Sequence, residues 1–98
     1  KIIVDTGAKK ALVNNHSSLL PKGIIDVTGN FLISQIVDIV DENDNLLARG
    51  IVNYSSDEIK LIKGLNTSEI ENILNYKDYD EIVHVNNLVL VEGVKNND

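Results

Sequence analysis

One stretch constrains the fold of this chain more than any other: "IVDIVDENDNLLARGIV", Ile36 to Val52. Ile36 to Asp41 alternates as a half-buried strand does, with Val37 and Ile39 on one face and Asp38 on the other. Asp41 to Asn45 is a purely polar turn, and Leu46 to Asn53 returns as the second arm of an antiparallel hairpin. Gly50 lies inside that arm, where glycine marks a bulge or a sharp bend of the kind small barrels need at their corners. A helical bundle cannot accommodate such a hairpin at its centre.

The flanking segments add to the hairpin. Ile2 to Val4 is a short strand-like run, and Asp5 or Thr6 is placed to cap a helix of about ten residues ending near Asn14 and Asn15. Ala8, Ala11 and Leu12 form its inward stripe, and Lys9 and Lys10 project from its outer face. Ile24 to Gly29 reads as a strand with Ile25 and Val27 on one face and Asp26 and Thr28 on the other. After the hairpin the period changes. Ser55 with Glu58 forms a capping box for a helix burying Ile59 and Ile62 and stopping at Gly64. Ser68 with Glu71 predicts a second box ahead of the stripe Ile70, Ile73 and Leu74. Glu81 to His84 and Leu88 to Val91 are strand-like, and Val94 to Asp98 is a polar tail. This order predicts one mixed, mainly-β domain over residues 1–93: a small barrel with short helices packed on its outside.

At 98 residues and 43% apolar composition, the chain can bury a modest core and falls outside the disordered class. Cysteine is absent, which excludes disulfides and thiolate metal sites and fits a reducing compartment. No apolar run approaches the roughly 18 residues of a membrane span. The net charge of −6 argues against a strong nucleic-acid binder. Its distribution is uneven. Lys1, Lys9, Lys10 and Lys22 against Asp5 and Asp26 give residues 1–36 a net +2, leaving −8 for the rest. Only the first third of the chain would tolerate an anionic partner.

The residues that carry catalysis in other proteins fall into no catalytic pattern here. Gly7 stands alone before its helix, outside any GxGxxG or GxxxxGK phosphate loop. Asp41 to Asn45 superficially resembles a calcium loop but lacks that loop's glycine and distal glutamate, so a hairpin turn is the better reading. His16 and His84 have no metal-ligand spacing, and Asp78, Asp80 and Glu81 read as a solvated loop beside Tyr76 and Tyr79. The expectation for this stretch is no catalytic residue, no metal and no cofactor.

Taken together, "VDTGAKKAL" (4–12), "SSLLPKGIIDVTGNF" (17–31), "LLARGIVNYSSDEI" (46–59), "YKDYDEIVH" (76–84) and "NNLVLV" (86–91) resemble the PUA domain at the C-terminus of bacterial glutamate 5-kinase. The resemblance implies a six-stranded PUA pseudo-barrel. It also implies a cytoplasmic parent enzyme whose separate amino-acid-kinase domain, preceding Lys1, phosphorylates the γ-carboxylate of glutamate with ATP and Mg, the first step of proline synthesis. On that reading the stretch is a non-catalytic accessory or regulatory domain whose partners are the kinase domain and the other subunits of a homo-oligomer.

The same resemblance implies an alternative role. PUA domains that bind RNA use the first helix, the loop after it and the next strand, which correspond here to Lys9, Lys10, Leu20, Pro21, Lys22, Gly23 and Ile24. Leu19 and Leu20 would cover the barrel's mouth, Pro21 would fix the loop, and Gly23 would admit a partner backbone. Three lysines, with only Phe31 and His16 for stacking, imply weak and salt-sensitive binding. One departure from the family is Ile33-Ser34-Gln35, where such domains carry a glycine-containing turn. The left-handed residue then falls at Asn30 or Ser34, or the loop is wider.

Overall fold

The computed structural model describes residues 1–91. The described elements run β1 (Ile2–Val4), α1 (Thr6–Asn15), β2 (Ile24–Val27), β3 (Ile36–Val40), β4 (Leu46–Ile51), α2 (Ser56–Ile62), α3 (Ile70–Leu74) and β5 (Leu88–Leu90), with single 3-10 turns at Pro21–Gly23, Thr67–Glu69 and Val85–Asn87. The hairpin is the centre of the sheet, whose strand order is β2-β1-β3-β4-β5. β1 lies parallel to β3 and antiparallel to β2, and the remaining neighbours are antiparallel.

Val37 and Ile39 are buried and Asp38 is exposed, as the alternation requires. The irregularity of the hairpin does not lie at Gly50. Ile39 pairs with Ala48 and Val40 with Leu46, so Leu47 is the extra residue, while Gly50 sits in register opposite Val37. Glycine is required at position 50 for a different reason. A Cβ there would stand 2.5 Å from Val83 Cγ1 and 3.1 Å from the Asn87 carbonyl oxygen. The chain returning after α3 therefore packs directly on the bare backbone of β4.

A second bulge corrects the reading of β2. Ile3 pairs with Asp26 and Val4 with Ile24, which skips Ile25. Ile24 and Val27 both turn inward as a result, and Ile25 is 42% exposed.

The sheet is an open mixed one of five described strands, where a six-stranded pseudo-barrel is expected. Glu81 to His84 supplies only an isolated bridge between Val83 and Leu19. Its backbone groups are shared between two separate partners instead of a ladder. Leu19 N–H donates to the Val83 carbonyl at 2.9 Å, Ile82 N–H donates to the Leu19 carbonyl at 2.8 Å, and Asn53 N–H donates to the Ile82 carbonyl at 2.8 Å. Beyond Val83 the extended run ends, because His84 Nδ1 accepts from Asn86 N–H and starts a 3-10 turn.

The helices follow their caps. Asp5 caps α1, its Oδ1 accepting from Ala8 N–H at 2.7 Å. The Ser55–Glu58 capping box is complete, and Ile59 and Ile62 are buried beneath α2. The second box does not form. Ser68 lies inside the 3-10 turn that runs straight into α3, and no side chain caps that helix. Thr67 Oγ1 instead donates to the Asp80 carbonyl at 3.2 Å. Ile70 is buried and Ile73 is 43% exposed.

The core runs from Ile2, Val4, Ile39 and Ala48 on the sheet to Leu12, Ile59, Ile62 and Ile70 on the helices, with Tyr54 wholly buried among them. Tyr54 keeps its hydroxyl satisfied by donating to the Tyr79 carbonyl at 2.5 Å. In the loop before β3, Ser34 is the left-handed residue at φ 77°, and Gln35 N–H closes the turn onto the Leu32 carbonyl. The expected polar tail, Val94 to Asp98, lies outside the described residues.

A candidate partner groove between the first helix and the Leu20 loop

The loop "SSLLPKGI" is positioned from both ends. α1 stops where His16 adopts a left-handed conformation, and Ser17 N–H reaches back to the Ala11 carbonyl at 3.1 Å. Leu19 is then pinned to Val83 by the bridge, and Pro21 opens a 3-10 turn with its fixed φ. At the far end Asp5 N–H donates to the Gly23 carbonyl at 2.9 Å, joining the loop to the start of α1. The space between them is a groove of about 380 Å³ lined by Gly7, Ala8, Ala11, Ser18, Leu20 and Lys22, among others.

The seven residues singled out in this region do not share one environment. Lys10, Lys22 and Leu20 are exposed, Leu20 at 46%. Pro21 and Ile24 are buried. Gly23 serves a close approach within the domain, since a Cβ on it would stand 2.5 Å from Ala8 Cβ. Its lack of a side chain is what lets α1 lie against the loop. Leu19 belongs to the core, so of the two leucines only Leu20 reaches the surface.

Lys9 differs from the other two lysines. Its Nζ lies 3.2 Å from Oδ2 of Asp41, a carboxylate that is almost wholly buried. The parallel pairing of β1 with β3 places Asp41, directly after β3, beside the start of α1, directly after β1. Asp41 also organises the hairpin turn. Its Oδ1 accepts from the backbone N–H groups of Asn43 and Asn45, both at 2.9 Å, and its Oδ2 accepts from Asn45 Nδ2 at 3.2 Å. Burial pushes this carboxyl upward. The bonds from Asn45, Lys9 and Asn43 outweigh that effect and hold it at about 2. Composition alone could not reveal this partner of Lys9. The turn-forming role of Asp41 was legible, but the ion pair depends on a strand pairing distant in sequence.

Two further hollows lie elsewhere. One of about 700 Å³ is bounded by Ile36, Arg49, Ile51, Val89 and Leu90 on the outer face of β3, β4 and β5. Another, of about 620 Å³, contains Lys1, Gly29, Phe31, Ser34 and Ile36. No group of three or more metal-ligating side chains is found among the described residues. No described helix is long and apolar enough to cross a membrane.

Comparison with known proteins adds three findings. Residues 1–74 match the model of the PUA domain family. Glutamate 5-kinases are similar along almost the whole chain. That of Caldanaerobacter subterraneus subsp. tengcongensis is 50% identical over 93% of this chain and 24% of its own length. That of Thermoanaerobacter sp. (strain X514) is 45% identical over 94% of this chain and 25% of its own length. The chain thus spans about a quarter of the length of these curated relatives, and the quarter it matches is C-terminal. Among solved structures, a PUA domain from Aeropyrum pernix K1, crystallised as a tartrate complex, superposes with a TM-score of 0.61 over 85% of this chain and 40% of its own. Their sequence identity is 18%, so that likeness concerns the fold alone.

Proposed function

The chain belongs to the PUA domain family, and from that premise we propose that it is the non-catalytic accessory domain of a glutamate 5-kinase. The observation that carries this reading is the 45–50% identity to the C-terminal quarter of such kinases over more than nine-tenths of the chain. A separate domain on the Lys1 side would bind ATP and Mg and transfer phosphate to glutamate in the cytoplasm. The domain described here would contribute contacts to that domain and to neighbouring subunits of an oligomer, and through them influence its regulation. The test is the coding sequence upstream of Lys1. An amino-acid-kinase domain there supports the reading, and an unrelated domain overturns it.

A second reading is favoured by one observation. The groove beside α1 is lined by exposed Leu20 and Lys22, and Lys10 is exposed on the same helix, in the part of the chain that is net positive. Weak RNA binding there would rest on these two lysines, with Lys9 contributing less because its charge is matched by Asp41. A salt titration of tRNA binding separates this reading from the first.

A further inference from the structure

The outer face of the sheet carries residues that a water-facing sheet ordinarily avoids. Ile36 and Asp38 of β3, Arg49 and Ile51 of β4, and Val89 of β5 occupy its outward positions. Ile36 stands opposite Ile51, and Arg49 stands opposite Val89 on one side and Asp38 on the other. Ile36 and Val89 are each 71% exposed, and Ile51 is 37% exposed. An antiparallel sheet with one solvated face places polar side chains at such positions. Here the aliphatic side chains outnumber the charged ones, and the two charges neutralise each other through the Arg49 Nε–Asp38 Oδ1 pair at 2.9 Å. An apolar hollow rimmed by the paired Arg49 and by Asn86 and Asn87 has the make-up of a protein interface. Among the described residues its one lining cation, Arg49, is paired with Asp38.

We propose that this face of β3, β4 and β5 docks the domain that precedes Lys1 in the longer protein. The proposal rests on the reading that the chain is the C-terminal part of a kinase built like its relatives. Those relatives are about four times as long as the matched part, so most of their chain lies on the Lys1 side. Lys1 lines the neighbouring hollow of about 620 Å³, which shares Ile36 with this one. A chain arriving at Lys1 therefore reaches the domain at the margin of its exposed aliphatic face. Covering that face needs no long linker and removes Ile36, Ile51 and Val89 from water, the favourable term in any association of domains.

The test is covalent surface labelling of the full-length protein with a carbene or hydroxyl-radical reagent, read residue by residue by mass spectrometry. Leu61 on α2 is 60% exposed and outside the hollow, and it serves as the internal reference. The proposal expects Ile36 and Val89 to be labelled several-fold less than Leu61, at every protein concentration. Labelling equal to that of Leu61 would overturn it. Protection that disappears on dilution together with subunit dissociation would also overturn it, since a second copy would then be the occupant. ADP formation with glutamate and ATP is measured on the same sample. Its absence would remove the kinase reading, while the labelling pattern would still report whether the preceding domain covers this face.

Discussion

Lys9 Nζ lies 3.2 Å from Asp41 Oδ2, joining the first helix to the central hairpin across a parallel strand pair. The two partners have unequal roles. Asp41 is buried and holds the turn through three bonds from Asn43 and Asn45, whereas Lys9 remains half exposed. Asp41→Ala is expected to destabilise the fold by about 1–3 kcal/mol, because it removes the charged acceptor of all three bonds that hold the turn. Lys9→Ala is expected to cost about 0–1 kcal/mol, the range of a half-exposed ion pair. Urea unfolding of both variants measures the difference.

The same carboxylate makes stability depend on acid. Its folded value of about 2 lies below its ordinary value of 3.8, so its contribution is fully present above pH 3.8 and is lost as pH falls through about 2. Stability of the wild-type domain should decline across that window. In Asp41→Asn the part of the decline due to this group should vanish. Thermal unfolding from pH 5 to pH 2 checks both.

Much of this is legible in the sequence. The alternation of Val37 and Ile39, the Ser55–Glu58 box and the helix capped at Asp5 or Thr6 are local codes, and the structure forms each of them, with Asp5 as the cap. The misread elements depend on partners distant in the chain. The alternation of Ile24 to Gly29 says nothing of the bulge that turns Ile25 outward, because the bulge belongs to the pairing with β1. Ser68 and Glu71 have the spacing of a box, yet Thr67 is drawn to Asp80 and the helix begins later. In the groove, the sequence reading assigns Gly23 to the approach of a partner backbone, whereas the neighbour that its missing side chain admits is Ala8 of the same chain, a matter of tertiary packing.

That packing is itself testable. Gly23→Ala would drive a Cβ to 2.5 Å from Ala8 Cβ and push α1 off the loop. A loss of about 1–3 kcal/mol is expected, the usual range for overpacking. Ala8→Gly in the same chain should recover part of it, less the cost of a glycine in a helix. The double-mutant cycle is read by chemical denaturation, and additivity of the two changes would contradict the contact.

Tyr54 is expected to stabilise the fold through its hydroxyl as well as its ring. The hydroxyl donates to the Tyr79 carbonyl at 2.5 Å and accepts from Tyr79 N–H at 3.2 Å. Tyr54→Phe keeps the packing and removes both bonds, for an expected loss of about 1–3 kcal/mol. Amide exchange at Tyr79 should accelerate in the variant.

If the groove binds RNA, the lysines should contribute unequally. Lys10→Ala with Lys22→Ala is expected to remove most binding and to flatten the salt dependence by about 1.4 in log–log slope, at roughly 0.7 per phosphate contact on single strands. Lys9→Ala should change it less. Binding of tRNA measured from low to moderate salt reads both values.

The central claim is that this PUA domain serves an enzyme whose chemistry lies elsewhere in a longer chain. Its most direct test is ADP release with glutamate, ATP and magnesium, measured side by side on the full-length protein and on residues 1–98. The account predicts glutamate-dependent turnover by the full-length protein and none above the no-enzyme control from residues 1–98. Absence of turnover in the full-length protein, or turnover by the 98-residue domain alone, would contradict it.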